Sequence, residues 1–165
     1  MPDKPEVHIY TDGGCRGNPG HGAWAAILTD GKSRRVIGGA ANETTNNKME
    51  ITAAIEGLRA LKAPSKVFFV SDSKYTLQGI TDWIHGWKKR GWKTASKKPV
   101  KNKELWQALD AEASKHKIEW SWTKGHAGHD ENEECDEIVN LLMDRIEMGE
   151  DPDSIRFDER SSMND

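Results

Sequence analysis

An apolar strand that ends on a carboxylate and a glycine-rich stretch constrains the fold of this chain most. Residues 7–11 alternate apolar and polar side chains, which is the two-residue period of a partly buried β-strand. Asp12 follows directly, and glycines recur through a predicted loop at residues 13–20. Such a loop brings backbone close to a ligand, so the pattern is typical of a metal or phosphate site. A strand that simply ends at an Asp-Gly turn would have the same sequence.

A second strand ends on an acid in the same way. Residues 67–70 form a short, continuous apolar run, which is typical of a central strand covered on both faces, and Asp72 follows closely. The spacing of apolar residues predicts a helix over 46–61, so this strand is reached by a helical crossover and lies parallel to the first. Ligands bind at the carboxyl ends of parallel strands, where Asp12 and Asp72 would meet. Asp72 alone could equally cap the next helix.

The remaining pattern predicts an α/β domain. Strands at 22–28 and 35–40, joined by short connections, form an antiparallel meander with the first strand. A helix at about 102–113, a strand at 118–122 and a last helix from Asp130 to about 146 complete the elements.

Two further carboxylates lie at unusual places. Glu50 falls in the middle of the apolar face of the first helix, where a charge is costly unless it is paired or binds a metal. Asp136 projects at the edge of the apolar stripe of the last helix. A buried cation could instead pair with Glu50, and Asp136 could be an ordinary boundary residue. Four converging acids would require cations, and oxygen ligands select Mg²⁺ or Mn²⁺ over zinc.

Composition limits the class of protein. A chain of 165 residues with 31% charged residues fits one soluble domain, and it has no apolar run of the roughly 20 residues that a membrane helix needs. The N-terminal residues lack the apolar core of a signal peptide. The two cysteines, Cys15 and Cys135, match no zinc spacing and favour a reduced, cytoplasmic location, although one disulfide stays open.

The net charge of −3 conceals a strong asymmetry. Residues 84–103 contain eight basic residues and no acid, whereas residues 147–165 contain seven acids and two arginines. The basic stretch is interleaved with tryptophans and suits a nucleic acid backbone. The tryptophans themselves are expected mainly to pack into the domain. The acidic segment shows no periodicity and is expected to be mobile.

The motifs as a set closely resemble those of bacterial type 1 ribonuclease H. They occur in order as TDGGCRGNPG (11–20), TTNNKME (44–50), SDS (71–73), KGHAGH (124–129), ENE (131–133) and CD (135–136). Residues 83–94 resemble that family's basic protrusion. The resemblance implies an α/β ribonuclease H-like fold, with a five-stranded mixed sheet of three antiparallel and then two parallel strands, and helices on both faces. Residues 1–146 would be the catalytic domain, including the protrusion at about 84–103, and residues 147–165 the tail.

The resemblance also implies an activity and its residues. The family hydrolyses the RNA strand of RNA/DNA hybrids endonucleolytically, leaving 5′-phosphate and 3′-hydroxyl ends, and the family's role implies removal of RNA primers and R-loops. Two Mg²⁺ ions, with Mn²⁺ as a substitute, would be held by Asp12, Glu50, Asp72 and Asp136, with Asp12 bridging both. One ion would activate the attacking water and the other stabilise the leaving oxygen. His126 corresponds to a loop histidine that assists proton transfer or product release.

The substrate contacts implied by the resemblance lie in two groups. Groove and phosphate contacts fall on Cys15, Asn18, Thr45, Asn46, Asn47 and Gln78, and contacts along the DNA strand on Trp83, Trp87, Lys88, Lys89, Arg90 and Lys93. Lys74 departs from the family, which often has glutamine there. The expected protein is a monomer with a hybrid as its partner and no membrane. The alternatives are a nuclease or integrase of the same fold that acts on duplex DNA, and a non-catalytic hybrid-binding module.

Overall fold

The structure, a computed structural model, describes residues 5–124 and 130–162. Its strands are β1 (Glu6–Arg16), β2 (Gly20–Thr29), β3 (Ser33–Thr44), β4 (Lys66–Ser71), β5 (Lys117–Trp122) and β6 (Arg156–Ser162). Its α-helices are α1 (Asn46–Arg59), α2 (Lys74–Gln78), α3 (Ile84–Lys89), α4 (Lys103–Ala113) and α5 (Asp130–Glu147). A π-helical turn (Gly79–Trp83) joins α2 to α3, and a 3-10 turn (Pro152–Ser154) precedes β6. Among the described residues, no helix is both long and apolar enough to span a membrane.

The strands form one mixed sheet in the order β5-β4-β1-β2-β3-β6. β1, β2 and β3 form the antiparallel meander that the sequence predicts, and β4 pairs in parallel with both β1 and β5. The parallel ladder between β1 and β4 runs as far as Tyr10 opposite Val70. The crossover topology predicted from the helix at 46–61 is therefore confirmed, and it sets the ends of β1 and β4 side by side.

Helices cover both faces of the sheet, so the chain has two hydrophobic clusters. On one face, α1 and α4 pack over β1, β2 and β4 around the fully buried Phe69 and Trp106. On the other face, α5 packs over β1, β2 and β3 through Val139 and Leu142. Gly57 lets α1 approach the sheet closely, because a Cβ there would lie 3.2 Å from Ile9 Cγ2. The close packing of α1 fixes the position of Glu50 relative to β1.

The predicted glycine-rich loop is shorter than the sequence pattern indicates. β1 continues through Asp12 to Arg16, with Gly13 opposite Trp24 and Gly14 opposite Ala23 of β2. Only residues 17–19 turn the chain. The glycines here accommodate close packing against neighbouring elements in addition to the turn, which the composition of the segment alone does not reveal.

Within residues 5–124 and 130–162 the sheet has six strands, so the expected count of five is wrong. β6 pairs antiparallel with β3 from Gly39–Arg156 to Ser33–Ser162, and it comes from the acidic segment for which the sequence predicted no regular structure. Ile155 is fully buried in the cluster beneath α5, and Asp158 accepts two hydrogen bonds from the Arg35 guanidinium at 2.9 and 3.0 Å. Ile155, the partly buried Phe157 and backbone pairing to the sheet edge hold a strand that is otherwise charged and exposed.

Candidate active site

Three of the four predicted acids meet at one edge of the sheet. Asp12, Glu50 and Asp72 each offer a carboxylate oxygen, and these oxygens all lie within 4.8 Å of one another. Asp12 and Asp72 each lie two residues beyond the last recorded pair of the β1–β4 ladder, so the parallel register itself sets them opposite. Glu50 reaches them from the first turns of α1. A set of three carboxylates with no nitrogen or sulfur ligand matches the preference of a hard divalent cation.

Gly13 is the residue that allows α1 to come this close to β1. A Cβ at Gly13 would lie 2.6 Å from Glu50 N and Met49 O, which is a steric overlap with backbone. The Gly13 amide also donates a hydrogen bond to Glu50 Oε1. The glycine after Asp12 therefore positions the second acid as well as ending the apolar part of the strand.

The cluster is electrostatically unfavourable without cations. Burial, and then the nearby charge of Asp72, raise the pKa of Asp12 from its ordinary 3.8 to about 7. Burial raises the pKa of Glu50 well above its ordinary value, and the charges of Asp12 and Asp72 raise it further. Like charges held together in a site of low polarity disfavour ionisation unless a cation compensates them. These carboxylates therefore fit a divalent metal ion in both chemistry and charge.

Asp136 lies near this cluster without being one of its three members. It is partly buried on α5, and its charge contributes to the raised pKa of Asp12, so the two carboxylates are within electrostatic reach. Its backbone carbonyl accepts a hydrogen bond of 2.9 Å from the Asn140 amide side chain. The residue predicted as the fourth ligand thus lies on α5, which covers the opposite face of the sheet from α1. His126 lies outside the described residues.

The predicted groove residues form a hydrogen-bonded junction between the end of β1 and the start of α1. The Cys15 amide donates to Asn46 Oδ1 at 2.9 Å, and the Asn46 amide donates to Asn18 Oδ1 at 3.3 Å. Thr45 caps α1, since its hydroxyl accepts from the Lys48 amide at 3.2 Å. Asn46 and its neighbour Asn47 are exposed. The structure brings this group together, next to the acid cluster.

The basic protrusion begins at α3 and is anchored by an aromatic cluster. Trp87 packs at ring-centroid distances of 5.3 Å from the buried Trp106, 6.1 Å from Trp83 and 6.4 Å from Trp92. Trp87 and Trp92 pack against the core, which agrees with the expectation that these tryptophans mainly pack into the domain. Trp83 is 40% exposed and is the member of this cluster available to a ligand.

The cations of the protrusion are not equivalent. Lys88 Nζ lies 2.7 Å from Asp110 Oδ2 of α4, so part of its charge is already compensated within the protein. Arg90 Nε donates to the Lys93 carbonyl at 3.0 Å, which shapes the turn after α3. Lys89, Arg90 and Lys93 are exposed, as is Gln78 at the end of α2. Lys88 therefore differs from Lys89, Arg90 and Lys93 in being paired with an acid, a distinction that the sequence does not show.

Two features near the acids were not anticipated from the sequence. The Lys74 ammonium lies 4.5 Å from the centroid of the Trp122 ring, and Trp122 Nε1 donates to the Asp72 carbonyl at 3.2 Å. The Arg16 guanidinium contacts α5 through Asp144, Glu147 and Asn140. The alternation of β1 could have shown that Arg16 shares a face with Asp12, but nothing local indicates its partners.

Both cysteines are free thiols, which settles the disulfide that the sequence left open. Cys135 is fully buried on α5, and its Sγ lies 3.5 Å from the Tyr10 carbonyl. Burial raises its pKa well above the ordinary value, so the thiol is a packing group and not a nucleophile.

A mixed sheet with carboxylates at the ends of its two adjacent parallel strands, beside a basic protrusion, defines a class of metal-dependent phosphodiester hydrolases. Comparison with known protein families and structures identifies the family within this class. The RNase H family model matches residues 4–143, and the chain belongs to that family of endonucleases. The resemblance stated from the motifs is confirmed.

Similar proteins extend over most of the chain. The Ribonuclease H of Hydrogenovibrio crunogenus is 58% identical over 141 residues, which cover 86% of this chain and 97% of the relative. The Ribonuclease H of Mesorhizobium japonicum is 59% identical over 144 residues, which cover 87% and 81%. Among solved structures, LC9-RNase H1, described as a type 1 RNase H with the type 2 active-site motif, superposes with a TM-score of 0.80 at 30% identity and covers 96% of this chain and 79% of its own. RNase H1 of Halobacterium salinarum, at 24% identity and a TM-score of 0.62, shares the fold.

Proposed function

We propose that this protein hydrolyses the RNA strand of RNA/DNA hybrids endonucleolytically and leaves 5′-phosphate and 3′-hydroxyl ends. The observation that carries the proposal is the cluster of Asp12, Glu50 and Asp72 within 4.8 Å, in a chain of the RNase H family. The named relatives are ribonucleases H, and no acid of the motif set is missing here. A binding module that had lost catalysis would have no reason to maintain a cluster of repelling carboxylates around the buried Glu50.

Asp12, Glu50, Asp72 and Asp136 are the residues that would hold two Mg²⁺ ions, with Asp12 between them. Its central place is supported by its electrostatic contact with each of the other three. When bound, the pair of ions supplies a hydroxide-like nucleophile and charge stabilisation for the leaving 3′ oxygen. The protein would position the carboxylates in two ways. The β1–β4 register places Asp12 beside Asp72, and Gly13 allows α1 to bring Glu50 close to both. Mn²⁺ satisfies the same ligand set.

Recognition of the hybrid is assigned to two surfaces beside this cluster. The junction of Asn18, Asn46 and Asn47 presents amides next to the acids, where amide groups can recognise 2′-hydroxyls that DNA lacks. Thr45 and Gln78 lie at the ends of α1 and α2 close by. Trp83 and the exposed cations of the protrusion are assigned to the DNA strand, where phosphates dominate affinity. His126 is proposed to assist proton transfer or product release, as the family pattern implies.

Cleavage of matched labelled duplexes tests this proposal. We expect Mg²⁺-dependent cutting of the RNA in an RNA/DNA hybrid, abolished by chelator, with DNA/DNA and RNA/RNA duplexes left intact. Asp12→Asn should lower kcat by at least ~10³-fold while hybrid binding persists, because the carboxylate that contacts the other three acids is lost. Glu119→Gln, which removes an exposed charge from β5, is the matched control and should cleave normally. Cutting of DNA/DNA as readily as hybrid, or substantial cleavage by Asp12→Asn, would contradict the proposal.

The cellular role follows from the substrate. An enzyme of this specificity removes RNA primers and R-loops in the cytoplasm of a bacterial cell, where the free state of both cysteines is expected. A monomer is sufficient, because all the assigned site residues come from one chain.

A further inference from the structure

Arg16, at the end of β1, connects this strand to α5. One guanidinium nitrogen donates to Asp144 Oδ1 at 2.7 Å and to the Glu147 carboxylate, and the other donates to Asn140 Oδ1 at 3.2 Å and to the Asn140 carbonyl at 3.3 Å. His21, opposite Arg16 in β2, adds a contact of 3.4 Å to Glu147. A single side chain thus makes four polar contacts to three residues of another element.

The faces of β1 explain why Arg16 reaches α5. Alternate residues of a strand point to opposite sides, so Asp12, Gly14 and Arg16 share one face and Gly13 and Cys15 share the other. A Cβ at Gly14 would lie 3.7 Å from Val139 Cγ1 of α5 and 3.8 Å from Asn46 Oδ1, and Tyr10 of the same face packs against the hydrophobic cluster of α5, so this is the face that α5 covers. Gly13 and Cys15 instead contact α1, through Glu50 and Asn46.

The α5 residues that bind Arg16 continue the helix face of Asp136. Asn140 and Asp144 follow Asp136 at successive four-residue steps, so all three lie on one side of α5. Arg16 therefore connects the strand that carries Asp12 to the helix that carries Asp136. It also compensates two acids in the last turn of α5, where negative charge is unfavourable.

We propose that Arg16 is a positioning residue for the hybrid: it fixes the end of β1 and the turn at 17–19 from the α5 side, so that Asn18 and Asn46 face the RNA strand. The inference rests on the proposed function. On the α1 side the same turn is held by the bonds among Cys15, Asn18 and Asn46, and the β1–β2 ladder closes it at Arg16 opposite His21. Without Arg16 the turn loses its attachment to α5, and the amides no longer present a fixed surface to the substrate.

A direct phosphate contact is the competing role for an arginine in this place. Asp144 and Glu147 already compensate the guanidinium, and the Arg16 bonds lower the pKa of Glu147. A guanidinium that is already paired with two carboxylates adds little attraction for a phosphate. The two roles predict opposite effects when the acids on α5 are neutralised, and this difference makes them separable.

The test compares Arg16→Met, Arg16→Lys and the double variant Asp144→Asn/Glu147→Gln in steady-state cleavage of hybrid. We expect Arg16→Met and the double variant each to raise KM about five- to tenfold with kcat nearly unchanged, because the turn is misplaced and the metal cluster is not. Arg16→Lys should recover part of the loss, and adding Arg16→Met to the double variant should raise KM less than it does in the parent protein, because only the Asn140 contacts are left to lose. The slope of log kcat/KM against log salt should stay that of the parent protein.

Arg145→Met is the matched control, because it removes an arginine of α5 whose guanidinium also pairs with an acid, Glu150, at 2.6 and 2.8 Å. It should leave KM unchanged, which separates positioning from a general loss of helix stability. An unchanged KM in Arg16→Met, a lower or unchanged KM in the double variant, a shallower salt slope, or a fall in kcat as large as the rise in KM would each overturn the inference. Failure of the parent protein to cleave hybrid would instead contradict the proposed function.

Discussion

The environment of Asp12 disfavours the charged form of its carboxyl group. Its carboxylate lies close to those of Glu50 and Asp72, and burial and the Asp72 charge raise its pKa to about 7. The proton is therefore retained in the folded protein at pH values where the unfolded chain has lost it. Folding then becomes less favourable as pH rises, because the unfolded state binds fewer protons between about pH 4 and 7.

Replacing Asp12 should accordingly stabilise the metal-free protein. At about pH 8 in chelator, we expect Asp12→Asn to raise the free energy of unfolding by about 1–3 kcal/mol, because it removes repulsion with Asp72 and Glu50. The gain should shrink as pH falls through 7 and be lost below the ordinary Asp pKa of 3.8, where Asp12 is protonated in both states. Urea unfolding across this range measures the effect, with Glu119→Gln as the control. A less stable Asp12→Asn protein at pH 8 would mean that repulsion in the cluster is not significant.

Among the elements, β6 differs most from the sequence expectation. It follows the last residue of the RNase H family match, residue 143, and pairs with the otherwise open edge of β3. Ile155 is fully buried beneath α5, whereas the strand itself is mostly exposed and charged. Charged residues on an outermost strand discourage pairing with another chain, so β6 covers the edge of β3 without creating a new edge that promotes aggregation.

Loss of the Ile155 side chain should therefore cost stability and not catalysis. We expect Ile155→Ala to lower the free energy of unfolding by about 2–4 kcal/mol, the usual cost of emptying a fully buried aliphatic site. Met148→Ala, at a nearby position that is 83% exposed, is the control and should change it by less than about 0.5 kcal/mol. Urea unfolding gives both values, and kcat on hybrid at 25 °C should match the parent in both. Equal stability of the two variants would show that β6 is not held by Ile155.

At the scale of the whole molecule, charge is segregated. The protein has a net charge of −3, but residues 84–103 contain eight basic residues and no acid. In the proposed function, the protrusion would hold the polyanion while the acid cluster binds the metal ions, which explains how a protein of net negative charge could bind a hybrid. Acidic side chains of α5 and β6 lie elsewhere on the surface, including Glu133, Glu137 and Glu159.

Hybrid binding should consequently weaken steeply with salt. The logarithm of the binding constant should fall linearly with the logarithm of salt concentration, by about 0.9 for each phosphate contacted. Lys89→Gln should reduce this slope by about one, and Lys88→Gln by less, because Lys88 is paired with Asp110 at 2.7 Å. Lys32→Gln, in the turn between β2 and β3, makes the same charge change and should leave the slope unaltered. A flat salt profile would contradict the assignment of the protrusion to the DNA strand.

The sequence by itself determined the parts of this protein that depend on local pattern. Periods of two and 3.6 residues gave the meander, the crossover helix and the parallel strand, and hence the meeting of Asp12 and Asp72. A charge on an apolar helix face indicated Glu50. The motif set indicated the family that the comparisons then showed.

Only the tertiary structure decided what depends on contacts between distant residues. β6 forms because it can pair with the edge of β3 and because Ile155 beside it is buried, and no periodicity in its own sequence indicates either contact. The pairing of Lys88 with Asp110, and of Arg16 with residues 124–131 positions further along the chain, is equally invisible locally. The physical reason is the same in each case: backbone preferences are local, whereas charge compensation and edge pairing are decided by whichever partner the fold brings near.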